Sequence, residues 1–364
     1  GSDLISDIKV SKLNKDSPSL QIFLSGHFSG PFNSLVQLFL NNTSKGLKES
    51  FKNMQVSGNQ TTHFSTNFPL GGEEFNLLSK LSFLSLTSKI SDASLLGYNK
   101  LSFTDIFASI DFDTKTGLKK SNLSARLNSI PLRFDLYTTK KEKNSFPLTY
   151  MTSQISLSDK DITKIYPFFS GRLKGQAKFS INLKLPGFIR GYELIDPQLT
   201  LESSLKNLEI SLPSPFDKGL SKPSSLKLIS KYISKEDRLE VNLNYKNFLR
   251  GKFLYGDKSS EGFVILGEGS YPLELVENKF FVSGSLKKLD LSQYISFSSE
   301  YTLPLDKELF FIKNLKVKEM QLGSMVLKET LIDMERADKS FKFFLISEAL
   351  KGIVLFPDSK KQEM

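Results

Sequence analysis

The sequence predicts a mainly β protein with one or two short amphipathic helices. Many segments alternate apolar and polar residues, which is the period of a half-buried strand. The clearest is residues 239–246, in which Leu239, Val241, Leu243 and Tyr245 alternate with polar side chains. Gly, Asn, Asp and Pro separate such segments, as expected for turns. Only two stretches have the apolar spacing of an amphipathic helix.

The first predicted helix covers residues 31–54. Pro31 suits its first turn, and one stripe of its surface is apolar. The stripe consists of Leu35, Phe39, Leu47, Phe51 and Met54. We expect this helix to pack over one end or edge of the sheet. The second predicted helix covers residues 159–170, and Pro167 limits its length.

Turn residues predict where the strands end. After the segment that closes at residue 245, the alternation breaks at Asn247, Gly251 and Gly256-Asp257, which we interpret as turns. It resumes in residues 263–266. The pattern thus predicts a series of short strands joined by tight connections.

The composition argues against nucleic acid as a partner. The chain has 364 residues and a formal net charge of +10. Its densest basic run, KKEK at residues 140–143, is predicted to be a solvated hairpin loop. Nucleic-acid binding requires basic side chains clustered on one element, and the excess here is spread along the chain. A diffuse positive surface instead favours contact with anionic lipid headgroups.

Candidate catalytic and metal-binding residues are scarce. His27 and His63 are the only imidazoles and the chain has no Cys, so these residues cannot build a zinc site of ordinary composition. A nucleophile–base pair would need one of these histidines beside a serine. Glu73 and Glu74 follow Gly72, and we interpret them as a polar turn. We therefore predict that the protein is not an enzyme and uses no metal or cofactor.

The apolar faces of so many strands must be covered, and two short helices cannot cover them. Either the sheets pack on each other as closed sandwiches, or one sheet curls and leaves an apolar trough. Periodicity fits both equally. A sandwich predicts a structural or interaction protein, and a trough predicts an apolar ligand. A hydrolase on a β scaffold would instead need a convergent polar pocket.

Two sequence pieces carry a resemblance to a known family. Residues 204–218 read SLKNLEISLPSPFDK, and residues 282–294 read VSGSLKKLDLSQY. In this order they resemble the YhdP/AsmA-like family of bacterial envelope proteins, relatives of TamB, whose pieces read roughly S-L-x-G-L-x-I-x-L-P-x-P-L-x-K and V-x-G-x-L-x-x-L-D-L-x-x-W. Asn207 stands in place of Gly, although Asn also tolerates left-handed backbone, and Tyr294 replaces Trp. The resemblance covers nearly the whole chain.

The resemblance implies a fold and a function. It implies an elongated antiparallel sheet rolled into a hydrophobic groove, in a periplasmic segment of a protein anchored in the inner membrane. The implied function is bridge-like transfer of phospholipids between the inner and outer membranes, with acyl chains shielded in the groove. The implied partners are phospholipids, together with both membranes through parts of the parent chain outside this sequence. The alternative is a structural or interaction β-repeat protein of the envelope, with closed sandwiches and no lipid.

The alternating segments supply the residues that we expect to line this groove and to bind lipid. They are Leu132, Phe134, Leu136, Ile155, Leu157, Phe179, Ile181, Leu183, Leu185, Leu239, Val241, Leu243, Tyr245, Phe280, Val282, Phe341, Phe343, Leu345, Ile353 and Leu355.

Four regions are expected along the chain. Residues 1–2 are interpreted as a tag scar, residues 3–170 as a first β-groove segment and residues 171–357 as a second. Residues 358–364 are expected to be frayed. No signal peptide and no apolar run of membrane-spanning length is present. This fits either a soluble cytosolic protein or a segment cut from a larger, anchored one, and the family resemblance favours the second.

Overall fold

The computed structural model describes residues 3–12, 20–41, 54–69, 83–98, 101–139, 148–186, 196–270, 275–294, 310–337 and 340–357. The chain divides into two compact units. Unit 1 consists of residues 1–155 and 182–197, and unit 2 consists of residues 156–181 and 198–364.

Unit 1 is an antiparallel meander. Each strand pairs with the next in the order β1-β2-β3-β4-β5-β7-β8-β9, and the short β6 pairs with β5. The last strand, β9, extends past residue 155 into unit 2. The bounds are β1 (Asp3–Lys12), β2 (Leu20–Pro31), β3 (Gln55–Pro69), β4 (Phe83–Tyr98), β5 (Leu101–Asp113), β6 (Gly117–Leu118), β7 (Ser121–Leu127), β8 (Ile130–Thr139) and β9 (Leu148–Ser158).

Unit 2 contains a mixed sheet. Its first antiparallel run is β11-β13-β14-β15-β16, and its last is β18-β19-β20-β21. The short β12 pairs with the start of β10, and the end of β10, from residue 182 onwards, belongs to unit 1. The bounds are β10 (Leu173–Pro186), β11 (Gln198–Ser203), β12 (Leu208–Ile210), β13 (Leu226–Ile233), β14 (Arg238–Tyr245), β15 (Leu249–Gly256), β16 (Ser260–Gly267), β17 (Phe280–Asp290), β18 (Phe310–Leu322), β19 (Met325–Ala337), β20 (Ser340–Ile346) and β21 (Lys351–Pro357).

The strands β16, β17 and β18 run parallel to one another, which differs from the antiparallel prediction. Parallel neighbours need a connection that returns the chain to the starting end of the sheet. Residues 268–279 and 291–309 make these connections. Alternation could not reveal them, because a period of two looks the same in either strand direction.

Within the described ranges, two helices lie where the sequence predicted them, and residues 291–294 are also helical. The first, α1 (Phe32–Asn41), begins directly after Pro31, and the Phe32 side chain packs against the buried cluster around Ile90 and Ile106. The remainder of the predicted helix, residues 42–53, lies outside the described residues.

The second helix, α2 (Asp159–Ile165), starts with a capping box. The Ser158 hydroxyl accepts a hydrogen bond from the Asp161 amide, and the Asp161 carboxylate accepts one from the Ser158 amide. These bonds satisfy two amide donors that an uncapped helix leaves without a partner. The helix ends before Pro167, where a single 3-10 turn covers Pro167–Phe169.

The predicted fold class is confirmed, because strands dominate both units and only short helices accompany them. Their open sheets are consistent with a β-groove. No helix in the described part of the chain has the length and hydropathy needed to cross a membrane. The predicted boundary after residue 170 stays a prediction. Residues 1–2, Glu73, Glu74, the run 140–143 and the tail 358–364 lie outside the described residues.

Candidate functional site

The sheet of unit 2 has one continuous apolar face. Directly opposed residues in neighbouring strands point to the same side of a sheet, so the strand register shows which side chains share a face. We call the side that carries Leu243 the apolar face of unit 2. It is formed by Leu199, Leu201, Leu226, Leu228, Tyr232, Leu239, Val241, Leu243, Tyr245, Leu249, Phe253, Tyr255, Val264, Leu266, Phe280, Val282, Phe310, Ile312, Leu315, Ile332, Met334, Phe341, Phe343, Leu345 and Val354.

Burial changes across this face along the strand direction. At one end, which we call the closed end, Tyr245 and Leu266 are buried and Leu345 is only 1% exposed. At the other end, which we call the open end, Leu239 is 38% exposed and Tyr255 is 40% exposed. The two open-end residues face each other across β14 and β15. The apolar face is therefore covered at its closed end, whereas Leu239 and Tyr255 at its open end stay partly exposed to water.

The closed end is covered by residues 211–218, which we call the wall segment. Phe216 from this segment packs against the buried core at the closed end, together with Phe248 and Tyr294. Its ring lies edge-on to both, with ring centroids 5.7 Å from Phe248 and 6.2 Å from Tyr294. Aromatic rings favour such edge-to-face contacts. The wall segment contains the cis peptide bond Ser214-Pro215.

Hydrogen bonds to main-chain carbonyls hold the wall segment in place. The Tyr245 hydroxyl donates to the Phe216 carbonyl at 3.0 Å, and the Tyr294 hydroxyl donates to the Ser214 carbonyl at 2.8 Å. The Lys246 ammonium donates to the Pro215 carbonyl at 3.3 Å. These donors come from separate parts of the chain, so the segment is tied to the sheet at several points.

The buried Lys218 fixes the last residue of the wall segment, and Asn207 precedes the segment in a left-handed conformation. The Lys218 ammonium donates to the Leu208 carbonyl at 2.6 Å and to the Gly219 carbonyl at 2.9 Å. Burial lowers the pKa of Lys218, with a further contribution from the charge of Lys246. Asn207 has φ of 65°, the conformation that Asn in place of Gly permits.

The pKa values of Tyr245 and Tyr294, the two tyrosines at the closed end, are raised. Burial raises the pKa of Tyr245 to about 12, and the nearby Asp217 carboxylate adds to the effect. Burial and the Asp217 charge also raise the pKa of Tyr294. A charged phenolate is disfavoured where water is excluded. Both hydroxyls therefore remain hydrogen-bond donors at neutral and mildly alkaline pH.

Aromatic rings line the open end of the apolar face, and the central ring, that of Phe280, is buried beneath its neighbours. Phe280 lies 6.4 Å from Phe253, 6.5 Å from Tyr255 and 5.6 Å from Phe310, measured between ring centroids. Gly262 faces Phe253 across β15 and β16, and a methyl group on it would come within 2.5 Å of Cδ1 of Phe253. The rings occupy the space that a larger residue would take, so the open end has an aromatic floor.

The opposite side of the same sheet carries ion pairs. Lys227 pairs with Glu202 at 2.7 Å, and Lys252 pairs with Glu240 at 3.1 Å. Arg238 also pairs with Glu261. The ion pairs join β11, β13, β14, β15 and β16. The same side of β16, β17 and β18 instead carries the rings of Phe263, Phe281 and Phe311, which lie in a row.

Unit 1 has an apolar face of its own. A few polar side chains lie among the apolar ones on this face, and they form hydrogen bonds. Thr62 and Ser88 share a hydrogen bond at 2.9 Å, and the Thr66 hydroxyl donates to the Phe83 carbonyl at 2.8 Å. This face is formed by Ile22, Leu24, Phe28, Phe64, Leu84, Leu86, Ile90, Ala108, Ile110, Phe112, Leu123, Leu132, Phe134, Leu136 and Met151.

The structure brings together most of the predicted lining residues, while their lipid contacts stay a prediction. In unit 1, Leu132, Phe134 and Leu136 share the apolar face. The predicted residues on the apolar face of unit 2 are Leu239, Val241, Leu243, Tyr245, Phe280, Val282, Phe341, Phe343 and Leu345. In β9 and β10, Leu157 and Phe179 are buried, and the half-buried residues are Ile155, Ile181, Leu183 and Leu185.

Ile353 and Leu355 do not lie on the apolar face. The register opposes Ile353 to Phe344, whereas Phe343 is opposed to Val354. Ile353 and Leu355 therefore point to the other side of the sheet, where they are 55% and 61% exposed. The alternation of β21 gave no indication of which of its two sides would face the apolar residues of β20.

Sequence reasoning missed Phe253 and Tyr255. Gly251 was interpreted as a turn residue, yet it lies within β15, whereas the predicted turn at Gly256-Asp257 is confirmed at the end of that strand. Phe253 and Tyr255 keep the same alternation as β14, and this signal could have identified the strand. Gly251 is tolerated there because the Phe253 ring lies over it, 2.7 Å from where a Cβ would stand.

The two histidines lie on the polar side of unit 1. His27 and His63 face each other across β2 and β3, with ring centroids 5.7 Å apart. Across the described ranges, the side chains form no group of three or more His, Cys, Asp or Glu residues that could hold a metal ion.

Comparisons with known proteins give one match. A family model described as YhdP protein matches residues 5–364. Comparisons with curated proteins and with solved structures find no match.

Proposed function

Because the chain belongs to the YhdP family, we propose that it is a segment of a bridge-like lipid-transfer protein. Its apolar faces shield phospholipid acyl chains as the lipids move between the inner and outer membranes. The segment acts in the periplasm, and the parent protein is anchored in the inner membrane. Membership of this family supports bridge-like lipid transport in general terms.

The exposure of the open end is the observation that best supports this proposal. Leu239 and Tyr255 are large residues on a continuous apolar face, yet each keeps more than a third of its surface in contact with water. In a closed sandwich, a second layer would bury such a face. An acyl chain on this surface would gain roughly 0.8 kcal/mol for each CH₂ group removed from water.

The proposed activity needs no reactive group. An acyl chain requires a continuous apolar lining, and the strand register supplies one across neighbouring strands of unit 2. The family is one of non-enzymatic lipid transport proteins, and this membership supports the prediction, made from the scarcity of candidate catalytic residues, that the chain is not an enzyme.

Native mass spectrometry of the purified chain tests the proposal. We expect phospholipids to be retained, and to be lost after extraction with detergent and replaced when phospholipid vesicles are added. A chain that neither carries phospholipid after purification nor takes it up from vesicles would contradict the proposal. That result would favour a structural or interaction protein of the envelope.

A further inference from the structure

We infer that His27 and His63 form a two-imidazole site for one divalent transition-metal ion on the polar side of unit 1. The ligand is an ion such as Cu²⁺, Ni²⁺ or Zn²⁺, with water in its remaining coordination positions. We expected no metal because the chain lacks the ligands of an ordinary zinc site, but two imidazoles completed by water form a different kind of site. It is separate from lipid binding, since it lies on the opposite side of the sheet from the apolar face of unit 1.

The strand register brings the two histidines together. They are the only imidazoles in a chain of 364 residues, and they come from different strands, β2 and β3, which oppose them directly. Directly opposed side chains point to the same side of a sheet, with Cβ atoms about 4.5–5.5 Å apart. A chance placement of two histidines would seldom put them in register, so their pairing indicates a shared role.

The separation of the two rings fits one shared metal ion. The ring centroids of His27 and His63 are 5.7 Å apart, and the ring planes are inclined at 42°. A histidine nitrogen binds Zn²⁺ at about 2.0–2.1 Å, so two imidazoles on one ion have ring centroids roughly 4.5–6.5 Å apart, depending on the bond angle at the metal. Imidazole also suits Cu²⁺ and Ni²⁺, and a given site binds Cu²⁺ more tightly than either Ni²⁺ or Zn²⁺.

The surroundings leave room for an ion and its water. His63 is exposed and His27 is half-buried. The next pair along the same side consists of Ser29 and Thr61, whose hydroxyls are hydrogen-bonded to each other at 3.1 Å. Thr87 opposes His63 on the following strand, β4. The flanking side chains are therefore small hydroxyls, which leave both imidazoles accessible and suit hydrogen bonding to metal-bound water.

The protein supplies two ligands, and solvent supplies the others. Along this row of the sheet, Thr87 is followed by Asp111. Asp111 thus lies two strands beyond His63, roughly 10 Å away at about 4.8 Å for each strand, and it pairs with Lys119 at 3.8 Å. Its carboxylate is too far from the imidazoles to bind the same ion. The ion therefore exchanges with solvent and, while bound, ties β2 to β3.

Metal titration of the intact chain tests the site. The chain is stripped of metal with a chelator and titrated with Cu²⁺, Zn²⁺ or Mg²⁺, followed by calorimetry. We expect one Cu²⁺ ion per chain, weaker binding of Zn²⁺ and no binding of Mg²⁺, because Mg²⁺ takes oxygen ligands. The electron paramagnetic resonance spectrum of the Cu²⁺ form should show coupling to the nitrogens of two imidazoles. A chain that binds no Cu²⁺, or binds it without two imidazole nitrogens, would overturn the inference.

Single variants test whether both rings hold the same ion. His27→Gln and His63→Gln each remove one ligand. Loss of even a supporting partner of a metal ligand costs about 10–100-fold in affinity, so each variant should bind Cu²⁺ at least about tenfold more weakly. Thr87→Ala, beside His63 on the same side of the sheet, keeps both imidazoles and should bind Cu²⁺ as the wild-type chain does. Circular dichroism checks that each variant is folded.

The outcomes separate this site from the proposed function. Equal Cu²⁺ affinity in the wild-type chain and in both single variants would place the ion elsewhere on the chain and overturn the inference. Phospholipid retention, measured by native mass spectrometry on the same variants, should not change. Loss of metal binding with lipid retained would support the site, whereas a wild-type chain that binds Cu²⁺ but no lipid would count only against the proposed function.

Discussion

The hydroxyl of Tyr245 donates a hydrogen bond to the main-chain carbonyl of Phe216 at 3.0 Å, joining β14 to the wall segment. Tyr245→Phe keeps the ring but leaves this carbonyl without that donor. Loss of such a bond costs about 1 kcal/mol or somewhat more. We expect the free energy of unfolding in urea to fall by that amount. Tyr137→Phe, at an exposed position of β8, should leave it unchanged, and equal effects of the two variants would contradict the assigned role.

Alkaline pH should loosen the closed end. The pKa of Tyr245 rises from 10.0 to about 12 in the folded protein because its phenol is buried. A raised folded pKa contributes stability that is fully present below the unfolded pKa and is lost as the pH rises through the folded one. The free energy of unfolding should therefore decline between pH 10 and pH 12. Denaturant titrations across this range should show a smaller decline for Tyr245→Phe than for the wild-type chain.

A carboxylate should have opposite effects at the two ends of the apolar face. In Leu239→Asp the charge reaches water, so the chain should stay folded and lose phospholipid binding. In Leu345→Asp the charge is buried without a partner, which costs several kcal/mol of the roughly 5–15 kcal/mol that holds a typical domain. Thermal melting and native mass spectrometry measure the two effects.

The matched control for Leu239→Asp is Asn244→Asp. Asn244 lies on the charged side of β14, opposed to Lys227 and Arg250, so a carboxylate there has cationic neighbours. Neither melting nor lipid binding should change. Retained lipid binding by Leu239→Asp would remove the open end from the lipid site.

A methyl group at Gly262 should disturb the aromatic floor. Its Cβ would stand 2.5 Å from Cδ1 of Phe253 and 2.9 Å from Cδ1 of Phe280, closer than carbon atoms pack. Overpacking of this kind typically costs about 1–3 kcal/mol. Gly262→Ala should lower the melting temperature and reduce lipid uptake. Gly352→Ala, where a Cβ would meet nothing within 4 Å, should do neither, and identical melting of the two variants would show that the rings adapt freely.

The histidine pair should be dispensable. His27 and His63 face each other on the polar side of unit 1, away from its apolar face. The double variant His27→Gln and His63→Gln should fold normally and retain phospholipid to the wild-type level, measured by circular dichroism and native mass spectrometry. A folded double variant that loses the protein's activity in a complementation assay would reopen an enzymatic role.

Local patterns in the sequence were sufficient to predict several elements. The alternation at residues 239–245 predicted β14, and Pro167 predicted where α2 ends. These features depend on residues within a few positions of each other, so they can be identified without knowing what they contact. The residue order in 204–218 and 282–294 was likewise sufficient to indicate one family, and the family match over residues 5–364 confirms it.

The contact between those two pieces was decided by the tertiary structure. Residues 204–218 contain the whole wall segment, and residues 282–294 contain Tyr294, which donates to two main-chain carbonyls of that segment. Nothing in either piece alone indicates that the other covers it, because the contact joins positions 80 residues apart.

The sequence by itself determined that alternating segments have one apolar side, and in clear cases such as β14 it determined which residues lie on that side. Only the tertiary structure decided which strands pair, in which direction, and which of their sides join. Phe343 and Ile353 are both apolar members of alternating strands, yet the register puts them on opposite sides of the sheet. Only the tertiary structure, too, decided which end of the apolar face is buried and which end is exposed. A period of two describes one strand at a time, whereas pairing and burial arise from contacts between residues distant in the chain.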